Sequence, residues 1–523
     1  MKTRREFLKA TGAAAAILTC RRLAAAEAGR TNLLVIQTDE HNFRTLGCYR
    51  ALMPKAQALM WGQAVVETPN IDWLARNGAV CTRFYATTPV CSPSRSAFVS
   101  GRYPQNTPVT NNNIPLSDEV VSFAEILRRQ GYATGYAGKW HLDGGGKPQW
   151  APERKFGFAD NRFLFNRGHW KQLELTAAGP RVKARSAQGQ PNYDVKGADE
   201  KNFTTDFLAD RTVEFIRAHK DQPFCYMVSI PDPHGPNTVR PPYDTMYDGV
   251  KFTPPPSMSK PAAGLPSWGA KQRTRWVDKP MALYYGMVKC IDDNVGKVLA
   301  ALRQTGLMDR TIVVFTADHG DLCGEHARDN KGVPYEGSAK IPFVLYCPGK
   351  VKPGTVVTQA LGCVDFLPTV LALMGVKTAG KEEGRDASAL FLGKAPADWQ
   401  DIAFFRGTTG PGTVSWLAAV TSRYKLVLSP HDAPWLFDLE TDPNELTNLF
   451  QDAGHREIVR DLARRIAAYC RKHNDPDGEA RRIKADLAWA MEGQGKYEPP
   501  KDLAPPDAPQ RGAKKKRRKA DPA

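Results

Sequence analysis

The sequence predicts an α/β fold: a large mixed, mostly parallel sheet flanked by helices, with a smaller C-terminal α+β subdomain. Two observations carry this. Through the first 400 residues, apolar runs of strand length alternate with amphipathic stretches of helical length, the pattern of a parallel sheet covered by helices. Past residue 400 the rhythm changes to short strands in quick succession, followed by one helix. At 523 residues the chain can hold one large core and a small second one.

The chain opens with Thr3-Arg4-Arg5-Glu6-Phe7-Leu8-Lys9, an apolar stretch from Ala10 to Thr19, and the small residues Ala24-Ala25-Ala26 before Glu27. Residues 1–26 therefore read as a bacterial twin-arginine export signal, too short for a permanent membrane helix. The expectation is a periplasmic or secreted protein, not an integral membrane one. Such export carries folded proteins, which suits a chain that is modified or metal-loaded first.

The first buried strand is Leu33 to Ile36. A helix over Val120 to Gln130 stops at Gly131, and a strand follows from Ala133 to Ala137. A helix over Phe203 to Ala218 leads to the strand Phe224 to Ile230. A long helix from Met281 to Gln304, closed by Gly306, leads to Ile312 to Phe315, and Phe343 to Tyr346 continues the series. Residues 145–200 and 231–279, rich in Gly, Arg and Pro, read as long functional loops. The second unit holds strands at Val414 to Thr421, Tyr424 to Leu428 and Trp435 to Asp438, then a helix from His455 to His473. The expected organisation is a signal at 1–26, a catalytic domain at 27–400, a subdomain at 401–499 and a basic tail at 500–523.

The net charge of +17 exaggerates the basicity of the body: residues 1–26 contribute +5 and residues 511–523 contribute +6, leaving +6. A modestly basic body suits an anionic substrate. The run Lys514 to Lys519 follows a Pro-rich linker and reads as a disordered tail, suited in an exported protein to anionic polysaccharide or the cell envelope rather than nucleic acid. The ten cysteines show no zinc-like spacing.

Chemistry gathers at the strand ends, where open α/β sheets collect ligands. Asp39-Glu40-His41 follows the first strand, Lys139-Trp140-His141 the second, and Pro231-Asp232-Pro233-His234 the third. Asp318-His319-Gly320 follows the fourth, with Lys331 shortly after. Each motif alone has a bland reading as a cap or a solvated residue. Together they bring acids, imidazoles and lysines to one edge of one sheet. Cys91-Ser92-Pro93-Ser94-Arg95 adds a C-x-P-x-R pentapeptide opening a short helix, whose N-terminal amides favour an anion.

This combination resembles the sulfatase branch of the alkaline phosphatase superfamily, from about Asn32 to Leu449. The resemblance rests on CSPSR, GYATGYAGKWHL (131–142), TADHGDLCGEH (316–326), KGVPYEGSAKIPFV (331–344) and LFDLETDPNELTNL (436–449). It implies that a cytoplasmic formylglycine-generating enzyme oxidises Cys91 to formylglycine (3-oxoalanine), whose hydrate is the nucleophile. Asp39, Glu40, Asp318 and His319, with residue 91 itself, would hold a divalent cation. Arg95 and Lys139 would support the hydrate with His141 close by, and His234 and Lys331 would grip the sulfate and leaving group. Either His234 or His141 would protonate the departing alcohol. Two positions depart from the commoner sulfatase pattern: Glu40 stands where many have Asp, and His319 where many have Asn. The oxygen-rich set suits Ca²⁺, and the imidazole admits Mn²⁺.

The chemistry explains the residue types. A sulfate ester needs a nucleophile at sulfur, neutralised oxygens and a protonated leaving group. A geminal diol attacks with one hydroxyl and later expels sulfate through the other, so no separate water is needed. The expected substrate is a sulfated small molecule or polysaccharide, with Arg162, Arg167, His169, Trp170 and Lys171 of the 145–200 insertion available to contact sugars. Two other readings stand beside it: a phosphonate monoester or phosphodiester hydrolase of the same superfamily, and a non-catalytic glycan-binding protein on the same scaffold.

Overall fold

A computed structural model of the chain describes residues 30–259, 264–270, 275–409 and 415–499; the expected export signal and basic tail lie outside the described residues. Eight strands form the main sheet: β1 (Asn32–Asp39), β2 (Ala79–Cys81), β3 (Ala133–Lys139), β4 (Asp160–Phe165), β5 (Phe224–Pro233), β6 (Thr311–Ala317), β7 (Phe343–Tyr346) and β8 (Thr355–Val357). Their order is β8-β2-β7-β6-β1-β5-β3-β4, and only β7 runs against the rest.

The central strand β1 is buried along its whole length because helices cover both faces of the sheet. Its alternating side chains divide between two cores. Leu33 and Val35 pack on the side of helix α1 (Cys91–Ser100) and helix α2 (Phe123–Arg129). Leu34 and Ile36 pack on the side of helix α3 (Thr204–Ala218) and helix α4 (Asp278–Gln304). In register, Val35 faces Met227 on β5 and Val314 on β6, so β1, β5 and β6 finish at the same level.

The predicted architecture is the observed one, with local differences. Helix α2 starts at Phe123 rather than Val120 because the Ser122 hydroxyl caps it, accepting from the Glu125 N–H at 3.0 Å. Strands β2 and β8 have three residues each, too few for periodicity to mark them. The 145–200 segment is not a plain loop: it supplies edge strand β4 and the hairpin Leu173–Thr176 with Gly179–Val182.

The C-terminal sheet is antiparallel in chain order, Ala403–Arg406, Leu417–Val420, Tyr424–Leu428 and Trp435–Asp438, followed by helix α5 (Arg456–His473) and helix α6 (Arg481–Glu492). A buried ion cluster ties this sheet to the segment that carries Lys331. Lys425 Nζ lies 2.9 Å from Glu336 Oε1 and 2.6 Å from Glu445 Oε1, and donates to the Pro334 carbonyl at 2.8 Å. Among the described residues, no helix is long and apolar enough to cross a membrane.

Candidate active site

The carboxyl ends of β1, β3, β5 and β6 meet the N-terminus of α1. All ten residues of α1 are buried, which obliges its hydroxyls to find acceptors. Ser92 Oγ donates to the His141 carbonyl at 2.7 Å, Ser94 Oγ to the Asp318 carbonyl, and Ser96 Oγ to the Pro93 carbonyl at 2.8 Å. Two of these bonds pin the helix to the strand ends carrying His141 and Asp318, so the pentapeptide is a structural clamp as well as a chemical motif. Gly138 lets β3 reach that point. Its φ is +97°, and a Cβ there would stand 1.9 Å from the Ser229 carbonyl oxygen. Glu40 and His141, neither of them glycine, also take positive φ (62° and 59°), placing strain at two strand ends that carry candidate residues.

Arg95 organises the centre. Its Nε lies 2.9 Å from Asp318 Oδ2 and its Nη2 2.9 Å from Asp39 Oδ2. Its Nη1 donates to Gln37 Oε1 at 3.1 Å, to the Lys139 carbonyl at 2.8 Å and to Ser229 Oγ at 2.6 Å. Lys139 Nζ, fully buried, takes the same Asp39 Oδ2 at 2.6 Å. Both Oδ2 atoms are thus occupied, and the two Oδ1 atoms face His319, whose Nε2 lies 3.7 Å from that of Asp39 and 3.5 Å from that of Asp318. His319 Nδ1 donates to the Gly320 carbonyl at 3.0 Å, which turns Nε2 inward. Cys91 Sγ completes the group, 3.2 Å from His319 Nε2 and 3.5 Å from Lys139 Nζ.

Charges in this buried group are strongly coupled. Burial and the Asp39 charge would raise the Cys91 thiol, but Lys139, Lys331 and His319 outweigh them and hold it well below its usual range. Burial would lower His319, yet Asp318 and Cys91 raise it to about 9. Burial alone would raise Asp39, and Lys139, His234 and Arg95 overcome this and hold it well below an ordinary carboxylate. Asp318 is raised by burial and by the charge of Asp39.

Asp39, Cys91, Asp318 and His319 offer ligand atoms within 4.8 Å of one another. Two carboxylate oxygens that Arg95 and Lys139 leave unpaired, that of Asp318 held by the backbone N–H groups of Glu40 and His319 at 3.2 and 2.8 Å, and an inward imidazole nitrogen are a set that suits a divalent cation of the Ca²⁺ or Mn²⁺ kind. Glu40, expected beside them, turns its Oε2 to Lys331 Nζ at 3.1 Å and His234 Nε2 at 3.0 Å, while its buried Oε1 has no hydrogen-bond partner among the described residues. That orphaned acceptor also calls for a cation or a proton donor.

Lys331 and His234 sit together, with Nζ 2.6 Å from Nε2, and His234 Nδ1 donates to the Gly235 carbonyl at 2.8 Å. His141 lies beside Cys91, with Nε2 3.2 Å from Asn113 Oδ1. Burial pushes it down to about 4.

Two participants, Gln37 and Ser229, were not evident as site residues in the sequence, and a third, His169, was expected as a sugar contact. Gln37 and Ser229 face each other in register across β1 and β5, and both bind Arg95. A polar residue inside each of two apolar strands was the signal, but only the register joins them. His169 stacks on His234 with ring centroids 3.5 Å apart, and its Nε2 lies 2.7 Å from Lys139 Nζ. Its neighbours correct the expected sugar surface. Trp170 is buried, and Lys171 is fully buried against Asp232 at 2.6 Å, so neither can reach a sugar. Arg162 pairs with Asp160, and Arg167 donates to the Gly145 carbonyl.

Comparison with known proteins identifies the family. The sulfatase family profile matches residues 31–376, and the profile for the N-sulphoglucosamine sulphohydrolase C-terminal region matches residues 324–472. An ulvan-active sulfatase from Formosa agariphila is 29% identical over 440 residues, covering 81% of this chain and 78% of that protein. An N-acetylglucosamine-6-O-sulfatase from Bacteroides thetaiotaomicron is 25% identical, covering 91% of this chain and 93% of that one. The crystal structure of the sulfatase yidJ from Bacteroides fragilis superposes with a TM-score of 0.70 at 26% identity, covering 86% of this chain and 98% of that one. With the family profile spanning most of the chain and the strand-end residues assembled as described, the chain belongs to the sulfatase family, the sulfuric ester hydrolases.

Proposed function

We propose that the protein hydrolyses sulfate esters of a carbohydrate outside the cytoplasm, using formylglycine made from Cys91 and a bound divalent cation. The observation that carries this is the position of Cys91: it opens α1 among Asp39, Asp318, His319 and Lys139, three of which offer metal-ligand atoms. The carbohydrate assignment is supported by the relatives named for ulvan and N-acetylglucosamine-6-O-sulfate, and export by the twin arginines Arg4 and Arg5.

Asp39, Asp318, His319 and residue 91, with Glu40 alongside, would hold the cation, which when bound acidifies a hydroxyl at residue 91 and draws charge from a sulfate oxygen. Oxidised to formylglycine and hydrated, residue 91 offers one hydroxyl to sulfur and keeps a second for the later expulsion of sulfate. Lys139 and Lys331 stand ready to neutralise sulfate oxygens, preorganised donors worth roughly 3–4 kcal/mol each in such sites. His141, held neutral by burial, is suited to accept the proton of the second hydroxyl rather than to donate one. The Lys331–His234 pair then supplies the proton to the leaving oxygen. Lys331 is held protonated against the desolvating effect of burial by Glu40 and Cys91.

The imidazole of His319 also favours a second reading, phosphonate or phosphodiester hydrolysis, because a nitrogen ligand accommodates Mn²⁺. Matured protein assayed on an aryl sulfate and the matching aryl phosphonate separates the two. Preference for the sulfate is expected, and preference for the phosphonate by orders of magnitude would overturn the sulfatase assignment. A panel of sulfated glycans then identifies the sugar and linkage.

A further inference from the structure

We propose that the cavity beyond the carboxyl ends of β2 and β8 is a second binding site, which takes an organic oxyanion, a carboxylate or sulfonate, carried on an apolar body. The inference goes beyond the reaction proposed above and does not depend on it.

The cavity has a volume of about 370 Å³, within the range of small-molecule sites. Thr82 and Arg83, which follow β2, and Thr358, which follows β8, stand in its wall. Both strands run parallel to β1, so the cavity lies at the same edge of the sheet as the catalytic centre, where such folds collect ligands. Three strand spacings, roughly 14 Å, separate β2 from β1. None of the residues placed around Cys91 lines the cavity.

Its wall combines two kinds of surface. Leu52 and Val356, 46% and 43% exposed, are among the most exposed large apolar side chains of the described residues, and both belong to this one cavity. Basic side chains share the wall with them. Lys340 Nζ is 4.1 Å from the centre of the Phe43 ring and 2.8 Å from Glu336 Oε2, and Phe43 and Glu336 both line the cavity. Arg44 Cζ lies 4.6 Å from the centre of the same ring, and Nη2 donates to Gln57 Oε1, another wall residue, at 3.2 Å. These contacts place the charged heads themselves at the wall.

The acids nearby are already engaged. Glu325 takes Arg44 at 2.8 Å. Glu336 gives Oε1 to Lys425 at 2.9 Å and Oε2 to Lys340 and to the Tyr85 hydroxyl at 3.3 Å. Asp401 accepts from the backbone N–H groups of Ala360 and Ser422 at 2.8 and 2.9 Å. Arg83 lies beside Tyr85, within the field of Glu336 and Asp401, but forms no ion pair among the described residues. Its fork is therefore available to an oxyanion. Burial pushes Lys340 down to about 8, Glu336 opposing this and Arg83 and Arg44 adding to it, a sign of surplus positive charge at the wall. An inorganic anion would leave Leu52 and Val356 in water, and a neutral apolar molecule would leave Arg83 unpaired. An anionic head on an apolar body answers both.

The probes are naphthalene-2-sulfonate, naphthalene-2-carboxylate and the neutral naphthalene-2-methanol, titrated calorimetrically into wild type, Arg83→Met and Val356→Trp. Wild type should bind both anions one to one, about 10- to 100-fold more tightly than the alcohol, the effect of hydrogen bonds to a charged group. Arg83→Met should lose that preference. Val356→Trp, which fills the mouth and leaves the charges alone, should weaken all three ligands. Both variants should keep the melting temperature and aryl sulfate turnover of the wild type, which separates loss of the site from loss of the fold; should Arg83→Met fail to fold, Val356→Trp carries the test. Equal affinity for the alcohol and the anions overturns the proposal, as does absence of binding by the wild type. Anion binding by the folded variants equal to that of the wild type, the result for a probe held at the catalytic centre, overturns it too.

Discussion

Arg95 resolves a conflict between two side chains. Asp39 and Asp318 are buried carboxylates converging on one point, and neither could stay ionised there beside the other without compensation. The guanidinium answers both from one plane, taking an Oδ2 of each and leaving both Oδ1 atoms turned toward His319. A lysine has the charge but not the fork. Arg95→Lys should therefore lower metal affinity and turnover together by ~10–100-fold, the range seen when partners of metal ligands are removed. Metal content after dialysis, measured alongside kcat, checks this, and a variant with full metal and full activity would show that the fork is dispensable. At this scale the sequence was partly legible. Cys91, Arg95, Lys139, Asp318 and His319 could be read because they sit in dense polar motifs at the ends of apolar runs. Gln37 and Ser229 could not, since a single polar residue inside a strand acquires meaning only from the residue it faces. His169 was read as part of a sugar-binding surface because nothing in an irregular Gly-rich segment predicts that the chain folds back onto His234.

Elements were legible in proportion to their length. The long helices and the fully apolar central strands announce themselves by periodicity, whereas β2 and β8 exist because neighbouring strands already offer a ladder. The helix Pro69–Arg76 shows a further dependence on tertiary context. Its free N-terminal amides at Asn70 and Ile71 are met by Asp292 of α4, at 3.1 and 2.9 Å to Oδ1. Burial raises this carboxyl to about 6, above its ordinary value, despite those bonds. The folded protein thus binds this proton more tightly than the unfolded chain does. The resulting contribution to stability is complete below the ordinary carboxylate range and is lost as pH rises through about 6. Asp292→Asn keeps an acceptor and removes the titration, so between pH 4 and pH 8 the wild type should lose about 1–3 kcal/mol relative to this variant. Denaturant melts across that range would show it, and parallel curves for the two proteins would contradict it.

At the scale of the whole molecule, the two units cooperate at the site. The C-terminal sheet buries Lys425 against Glu336, five residues beyond Lys331, and Trp416 Nε1 donates to the Gly332 carbonyl at 3.2 Å. The segment 331–336, which carries Lys331, is therefore braced by the second unit. Residues 501–523, outside the described residues, are Pro-rich, basic and poor in large apolar side chains. Truncation after Pro500 should leave the melting temperature and small-ester turnover unchanged. It should weaken retention on a polyanionic glycan, by an amount that shrinks as salt rises. A marked drop in melting temperature would mean that the tail docks on the body. The central claim is that residue 91 acts as an aldehyde and not as a thiol. It is tested most directly by varying co-expression of a formylglycine-generating enzyme and plotting aryl sulfate turnover against the fraction of the Cys91 peptide found as aldehyde by mass spectrometry. Turnover should rise in proportion to the aldehyde fraction and extrapolate to zero where that fraction is zero; turnover that is independent of it would contradict the account.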